Sequence, residues 1–145
     1  MIKKTITYTD FDGEKRTETH WFNLTKAEIL EMELLTVGGM EKYIQNIIEA
    51  KDVPSLVKLF KDLIHKSYGV KSADGKRFIK SHEALKEFTE TNAYSELFME
   101  LATDSEAASD FIKGIIPDDI DINDPAVREK ASELIEAAGG SIDNA

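Results

Sequence analysis

The sequence predicts a mostly α protein: a small helical domain of about six to seven helices with an N-terminal β-hairpin and an acidic C-terminal tail helix. The main observation is a change of hydrophobic period, from two before Phe22 to 3.6 after it. The chain has 145 residues, of which 41% are apolar and 32% charged, as in a folded domain with its own core. We expect residues 1–117 to form this domain and residues 118–145 to form an acidic linker and tail helix.

The hairpin is indicated by β-branched and aromatic residues on both sides of a turn dipeptide. Asp12-Gly13 supplies the turn, since glycine adopts positive φ without steric cost. An isolated hairpin is only marginally stable in water, so this one must pack on the rest of the chain. Trp21 and Phe22 are the expected contacts.

Start and stop signals then divide the chain into helices. Thr25 and Glu28 have the spacing of a capping box, in which each side chain satisfies a free amide at the helix start. Pro54 lies in a first turn, where its missing N–H has no cost. The other boundaries are indicated by Gly38-Gly39, Asp52, Ser81, Thr91 or Asn92, Asp104, Pro117, Asp124-Pro125 and Gly139-Gly140.

Residues 68–80 form the longest stretch that helical periodicity does not explain. Asp74-Gly75 predicts a turn, and the stretch is net positive in a chain of net charge −10. One interpretation is a solvated loop held by its two aromatic residues, and the other is a recognition element; composition leaves both open. The candidate partner-binding residues are Tyr68, Lys71, Lys76, Arg77, Phe78, Lys80 and Tyr94. We expect Tyr94, Leu97 and Phe98 to pack near this loop.

Catalytic and metal-binding patterns are missing from the sequence. The chain has no cysteine, and its three histidines show no spacing typical of metal ligands. No nucleophile elbow and no phosphate-binding loop occur. We therefore predict that the protein is not an enzyme and needs no cofactor.

The charge balance restricts the classes of partner. Net charge −10 argues against binding to a nucleic acid backbone, and no run approaches the ~18 apolar residues of a membrane span. Residues 118–145 contain eight acidic and two basic residues. A protein partner of basic or mixed charge is the remaining expectation.

Four stretches of the sequence together resemble the tail assembly chaperones of long-tailed bacteriophages of Gram-positive hosts. The two middle stretches are the more specific. The stretches are Phe22–Ile29 (FNLTKAEI), Tyr68–Ser81 (YGVKSADGKRFIKS), Ala93–Leu101 (AYSELFMEL) and Phe111–Pro117 (FIKGIIP).

This resemblance implies a protein that coats the tape measure protein in the host cytoplasm before the tail tube polymerises around it. It implies the tape measure protein as partner, the major tail protein as a second candidate, and self-association. The alternative is a small structural adaptor or connector protein of the virion. Binding would come from burial of apolar surface steered by charge.

Overall fold

The structure, a computed structural model, describes residues 1–36 and 38–117, which form four strands and six helices. The tail helix predicted within residues 118–145 lies outside these described residues. The strands are β1 (Ile2–Thr9), β2 (Lys15–Phe22), β3 (Tyr68–Lys71) and β4 (Phe78–Ile79). The helices are α1 (Lys26–Leu35), α2 (Met40–Ala50), α3 (Val53–Ser67), α4 (His82–Thr89), α5 (Asn92–Thr103) and α6 (Ser105–Ile115).

The fold is mixed α and β, so the prediction of a mostly α domain carrying only a hairpin is wrong. All four strands form one antiparallel sheet in the order β1-β2-β3-β4. The stretch interpreted as a central loop is a second hairpin, β3–β4, joined to β2 by the pairs Trp21↔Gly69 and Phe22↔Tyr68. Strands of four and two residues are too short to show a period of two, which is why the sequence pattern did not reveal them.

The helix starts confirm the local signals in the sequence. Thr25 caps α1 through both hydrogen bonds of a capping box, with Glu28 N to Thr25 Oγ1 at 3.2 Å and Thr25 N to Glu28 Oε1 at 3.0 Å. Ser81 caps α4, and α3 begins directly after Asp52. Both predicted turns also form, because Gly13 and Gly75 adopt positive φ.

One compact unit consists of residues 1–24 and 57–115. Its sheet is covered on one face, the inner face, by α4, α5 and α6, and side chains of β1 alternate between buried and exposed. Phe22, Leu97 and Phe111 are at most 1% exposed and fill the space between sheet and helices. Backbone hydrogen bonds fix the end of β2, from Asn23 N to Ser67 O at 2.7 Å and from Leu24 N to Ile115 O at 2.8 Å.

A second unit includes residues 25–56, of which 25–36 and 38–56 are described. Its turn between α1 and α2 is organised by the buried carboxylate of Glu33, which accepts a hydrogen bond from Met40 N at 3.0 Å. This bond satisfies a free amide at the start of α2. Gly39 has φ +87, and a Cβ there would collide with the Glu33 carboxylate. The turn therefore requires glycine at this position for two reasons.

Candidate functional site

The candidate site is the face of the sheet opposite the helices of the first unit, which we call the outer face. In antiparallel strands, directly paired residues share a face and alternate residues return to it. The pairing places on this face Lys3, Thr5, Thr7, Thr17, Thr19, Trp21, Gly69, Lys71 and Phe78. Threonine pairs bond across it, with Thr5 Oγ1 3.2 Å from Thr19 Oγ1 and Thr7 Oγ1 3.0 Å from Thr17 Oγ1.

Trp21 forms the aromatic part of the outer face on β2. The Lys71 ammonium lies 3.8 Å from the centre of the Trp21 ring, and the Lys3 ammonium lies 5.8 Å from it. Both distances fall within the range of cation–π attraction, about 0.5–1 kcal/mol at exposed sites. The indole is thus partly exposed between two lysines on neighbouring strands.

Phe78 forms the second aromatic part, on β4. Its ring packs over Gly69, where a Cβ would lie 2.5 Å from Phe78 Cε2. The Lys80 ammonium lies 5.8 Å from the ring centre and donates a hydrogen bond to the Asn23 carbonyl at 2.7 Å. Lys80 therefore connects the end of β4 to the end of β2.

The turn between β3 and β4 presents Lys76 and Arg77, both exposed. Its geometry comes from Ser72 and Asp74: Ser72 Oγ donates to Asp74 Oδ1 at 2.7 Å and accepts from Arg77 N at 3.0 Å. The hydrogen bond from Ser72, followed by that from Lys76 N, lowers the pKa of Asp74. These local bonds hold two cationic side chains at the end of a defined hairpin.

Tyr68 lies on the opposite side of the same hairpin. It is 9% exposed, and its ring stacks on Phe88 with centroids 4.4 Å apart and planes 8° from parallel. Phe22 and His20 also contact the cluster that these rings form. Because Tyr68 and Phe78 point to opposite faces, the two aromatic residues hold the hairpin from both sides.

Tyr94 lies apart from the hairpin's basic residues, in an open groove of about 420 Å³ that Lys61, His65, Thr89 and Phe98 also line. The hydroxyl of Tyr94 is 3.1 Å from His65 Nε2. Burial raises the pKa of Tyr94, and it lowers the pKa of His65 with a smaller contribution from Lys61. Tyr94 also contacts Phe88 edge-on, so the groove borders the aromatic cluster.

Six of the seven candidate residues lie on or directly beside the β3–β4 hairpin, and five of them are outside the core: Lys71, Lys76, Arg77, Phe78 and Lys80. Tyr68 is the sixth and is buried on the inner face of β3, and Tyr94 lines the separate groove. Sequence reasoning missed Lys3 and Trp21 as members of the outer face. The alternation of β2 contained the signal, because Trp21 must face away from its buried neighbour Phe22.

Within the described part of the chain, no three His, Asp or Glu side chains are arranged to hold a metal ion. Among the same residues, no helix is long and apolar enough to cross a membrane.

Comparison with known protein families identifies a match for this chain. The family described as phage tail assembly chaperone matches residues 1–138, nearly the whole chain. No curated protein and no solved structure matches the sequence significantly. The match includes both hairpins and all six described helices, and it confirms the resemblance to tail assembly chaperones. The chain therefore belongs to the family of phage tail assembly chaperones.

Proposed function

We propose that this chaperone binds the tape measure protein and keeps it soluble in the host cytoplasm until the tail tube assembles, without catalysis. The observation that carries this proposal is the outer face and its hairpin, where cationic side chains surround two partly exposed aromatic rings in a chain of net charge −10. Such a surface is suited to an amphipathic protein segment with acidic flanks.

The apolar part of the contact would come from Trp21 and Phe78. Aromatic rings with polar or cationic rims are enriched where protein partners bury surface, since they bring large contact area at low cost in side-chain entropy. Neither ring lies in the core, so a client segment can cover both without disturbing the inner face.

The cationic part would come from Lys71, Lys76 and Arg77. Exposed charges mainly accelerate encounter and select the partner, and their effect decreases with salt. Tyr68 would act indirectly by fixing the hairpin, and Tyr94 would contribute a second contact in its groove. A holdase for a long chain gains strength from many weak contacts, because linked sites raise the effective concentration.

The decisive experiment is co-expression of the protein with the tape measure protein, followed by pull-down and measurement of soluble client. The double variant Lys76→Glu/Arg77→Glu should keep its fold, because exposed substitutions usually change stability by about 0.5 kcal/mol or less each. It should retain much less client. Lys58→Glu/Lys113→Glu is the matched control, since it makes the same change of charge at exposed positions on α3 and α6.

Equal loss of client in both double variants would mean that only net charge matters, and it would contradict a site on the hairpin. Full capture by the hairpin variant would direct the search to the groove around Tyr94. The same pull-down with the major tail protein in place of the tape measure protein separates the two candidate partners.

A further inference from the structure

The free edge of β1 offers a second interaction surface, distinct from the outer face. In an antiparallel pair, opposite residues alternate between those that exchange backbone hydrogen bonds and those whose N–H and C=O point away. Asp10 N donates to Glu14 O at 2.8 Å, directly beyond the pair Thr9↔Lys15. The even-numbered residues of β1 therefore bond to β2, and the odd-numbered residues direct their backbone groups away from it.

The other side of β2 agrees with this alternation. Asn23 N donates to Ser67 O, so the odd-numbered residues of β2 face β3. On the free side of β1, the C=O of Thr9 accepts from Asn92 Nδ2 at 2.9 Å. The other odd-numbered residues of β1 are Lys3, Thr5 and Thr7. Their backbone groups have no hydrogen-bond partner among the residues that the structure describes.

The central part of this edge, at Thr5 and Thr7, lacks the features that prevent edge-to-edge pairing. Protected edge strands are short or bulged, carry proline, lysine or inward-pointing charges, or are covered by another element. β1 has eight residues and pairs with β2 without a bulge. Its charged residues, Lys3 and Lys4, lie near its start, and the Asn92 contact lies at its end. The side chains of Thr5 and Thr7 are exposed. The strand is thus open to a further strand over its central part.

We propose that β1 pairs with β1 of a second copy of this chain, antiparallel and about a two-fold axis at Thr5. In this register Thr5 faces Thr5 of the second copy, and Lys3 faces Thr7. All three unpaired residues then bond to one another, which gives about six backbone hydrogen bonds across the axis. The two four-stranded sheets become one continuous sheet.

Charge and hydrogen bonding select this register. A shift by two residues in one direction places Lys4 opposite Lys4 of the second copy, which is repulsive. A shift in the other direction pairs Lys3 with Thr9, whose carbonyl is already occupied by Asn92. When the axis lies at Thr5, no like charges lie directly opposite each other. The threonine pairs of the outer face then continue across the axis. This self-complementarity favours a second copy over an unrelated strand.

Light scattering after size exclusion, over a wide range of protein concentration, should show a dimer of twice the monomer mass. Thr5→Pro removes an N–H that faces away from β2, so the fold should be preserved and the dimer lost. Thr5→Lys should also leave a monomer, because it places two ammonium groups together on the axis. Circular dichroism confirms that each variant is folded.

An introduced cysteine tests the register, since the chain contains no native cysteine. Thr5→Cys should form an intermolecular disulfide on mild oxidation, because hydrogen-bonded antiparallel pairs have Cα atoms about 5.5 Å apart. Thr7→Cys is the matched control: its two copies would lie about 13 Å apart along the strands and should not cross-link.

A monomer at every concentration would overturn the proposal, as would a dimer that survives both Thr5→Pro and Thr5→Lys. Cross-linking of Thr7→Cys as fast as Thr5→Cys would overturn the register. Protection of the Thr5 and Thr7 amides from hydrogen exchange only after a client is added would assign the edge to the client instead. Because dimerisation is measured without a client, it can fail independently of the proposed function.

Discussion

At the scale of single residues, the outer face depends on one missing side chain. Gly69 has no Cβ, and this allows the Phe78 ring to pack over β3 at the residue that pairs with Trp21. Gly69 does not adopt positive φ, so the requirement for glycine is steric and not conformational. The chain needs a small residue at this position because a ring from the neighbouring strand occupies the space.

Gly69→Ala should therefore destabilise the protein by about 1–3 kcal/mol, as expected when a side chain is forced into filled space. In a Phe78→Ala background the same substitution should cost much less, since the ring that it meets is gone. Urea unfolding of the parent, both single variants and the double variant gives the coupling energy. Additive effects of the two substitutions would contradict the packing of Phe78 on Gly69.

His20 is a second residue whose environment leads to a measurable effect. It lies in the aromatic cluster with Tyr68 and Phe88, and its Nε2 has no hydrogen-bond partner in the described structure. Burial lowers the pKa of His20 below the ordinary 6.5, although the Glu18 carboxylate 3.6 Å away opposes this change. The folded protein consequently keeps the neutral ring at pH values where the unfolded chain binds a proton.

The sign of the pH effect follows from this difference. Well above pH 6.5 both states are neutral at His20, so its contribution is constant. As the pH falls through 6.5, the unfolded state binds a proton before the folded state does, and stability falls. His65, whose pKa burial also lowers, adds to the same trend. His20→Phe should reduce the loss of unfolding free energy between neutral and mildly acidic pH. An unchanged loss in this variant would exclude His20 as a source.

At the scale of elements, the start of α1 is held by side-chain bonds that its own sequence supplies. Thr25→Ala removes the hydroxyl that accepts from Glu28 N and should cost about 1 kcal/mol. Thr25→Ser keeps the hydroxyl and is the control. Hydrogen exchange of the first turn of α1 reports the change locally, and equal exchange in both variants would mean that the box contributes nothing to this helix.

The hairpin β3–β4 shows the opposite situation, an element that its own sequence does not determine. Its turn is local, formed by Ser72, Asp74 and Gly75. Its strands exist because β2 offers Trp21 and Phe22 as pairing partners and because Tyr68 stacks on Phe88. Short strands of this kind depend on tertiary contacts for most of their stability.

At the scale of the whole molecule, net charge and local charge have opposite signs. The chain is net −10, while residues 68–80 contain four basic side chains and one acidic one. Added salt screens the repulsion among the many carboxylates and should leave the melting temperature unchanged or raise it. The same salt should weaken client capture by the hairpin. Parallel melting and pull-down series in sodium chloride test both directions; capture that rises with salt would contradict a charge-steered contact.

The sequence by itself determined the features that depend on a few adjacent residues. The caps at Thr25 and Ser81, the helix stop at Pro117 and the two glycine turns all formed as predicted, because each is decided by hydrogen bonds and φ angles within about four residues. The resemblance to phage tail assembly chaperones was likewise recognised from contiguous stretches of sequence, and the family match over residues 1–138 confirms that family.

Only the tertiary structure decided which side chains share a surface. Phe22 and Tyr68 are far apart in sequence, and their pairing turned a presumed loop into part of the sheet. That pairing buried Tyr68, exposed one face of Trp21 and placed Phe78 beside it with three lysines around the two rings. A pairing of this kind is selected by the fit of the whole core and not by any local preference, so no window of sequence can show it.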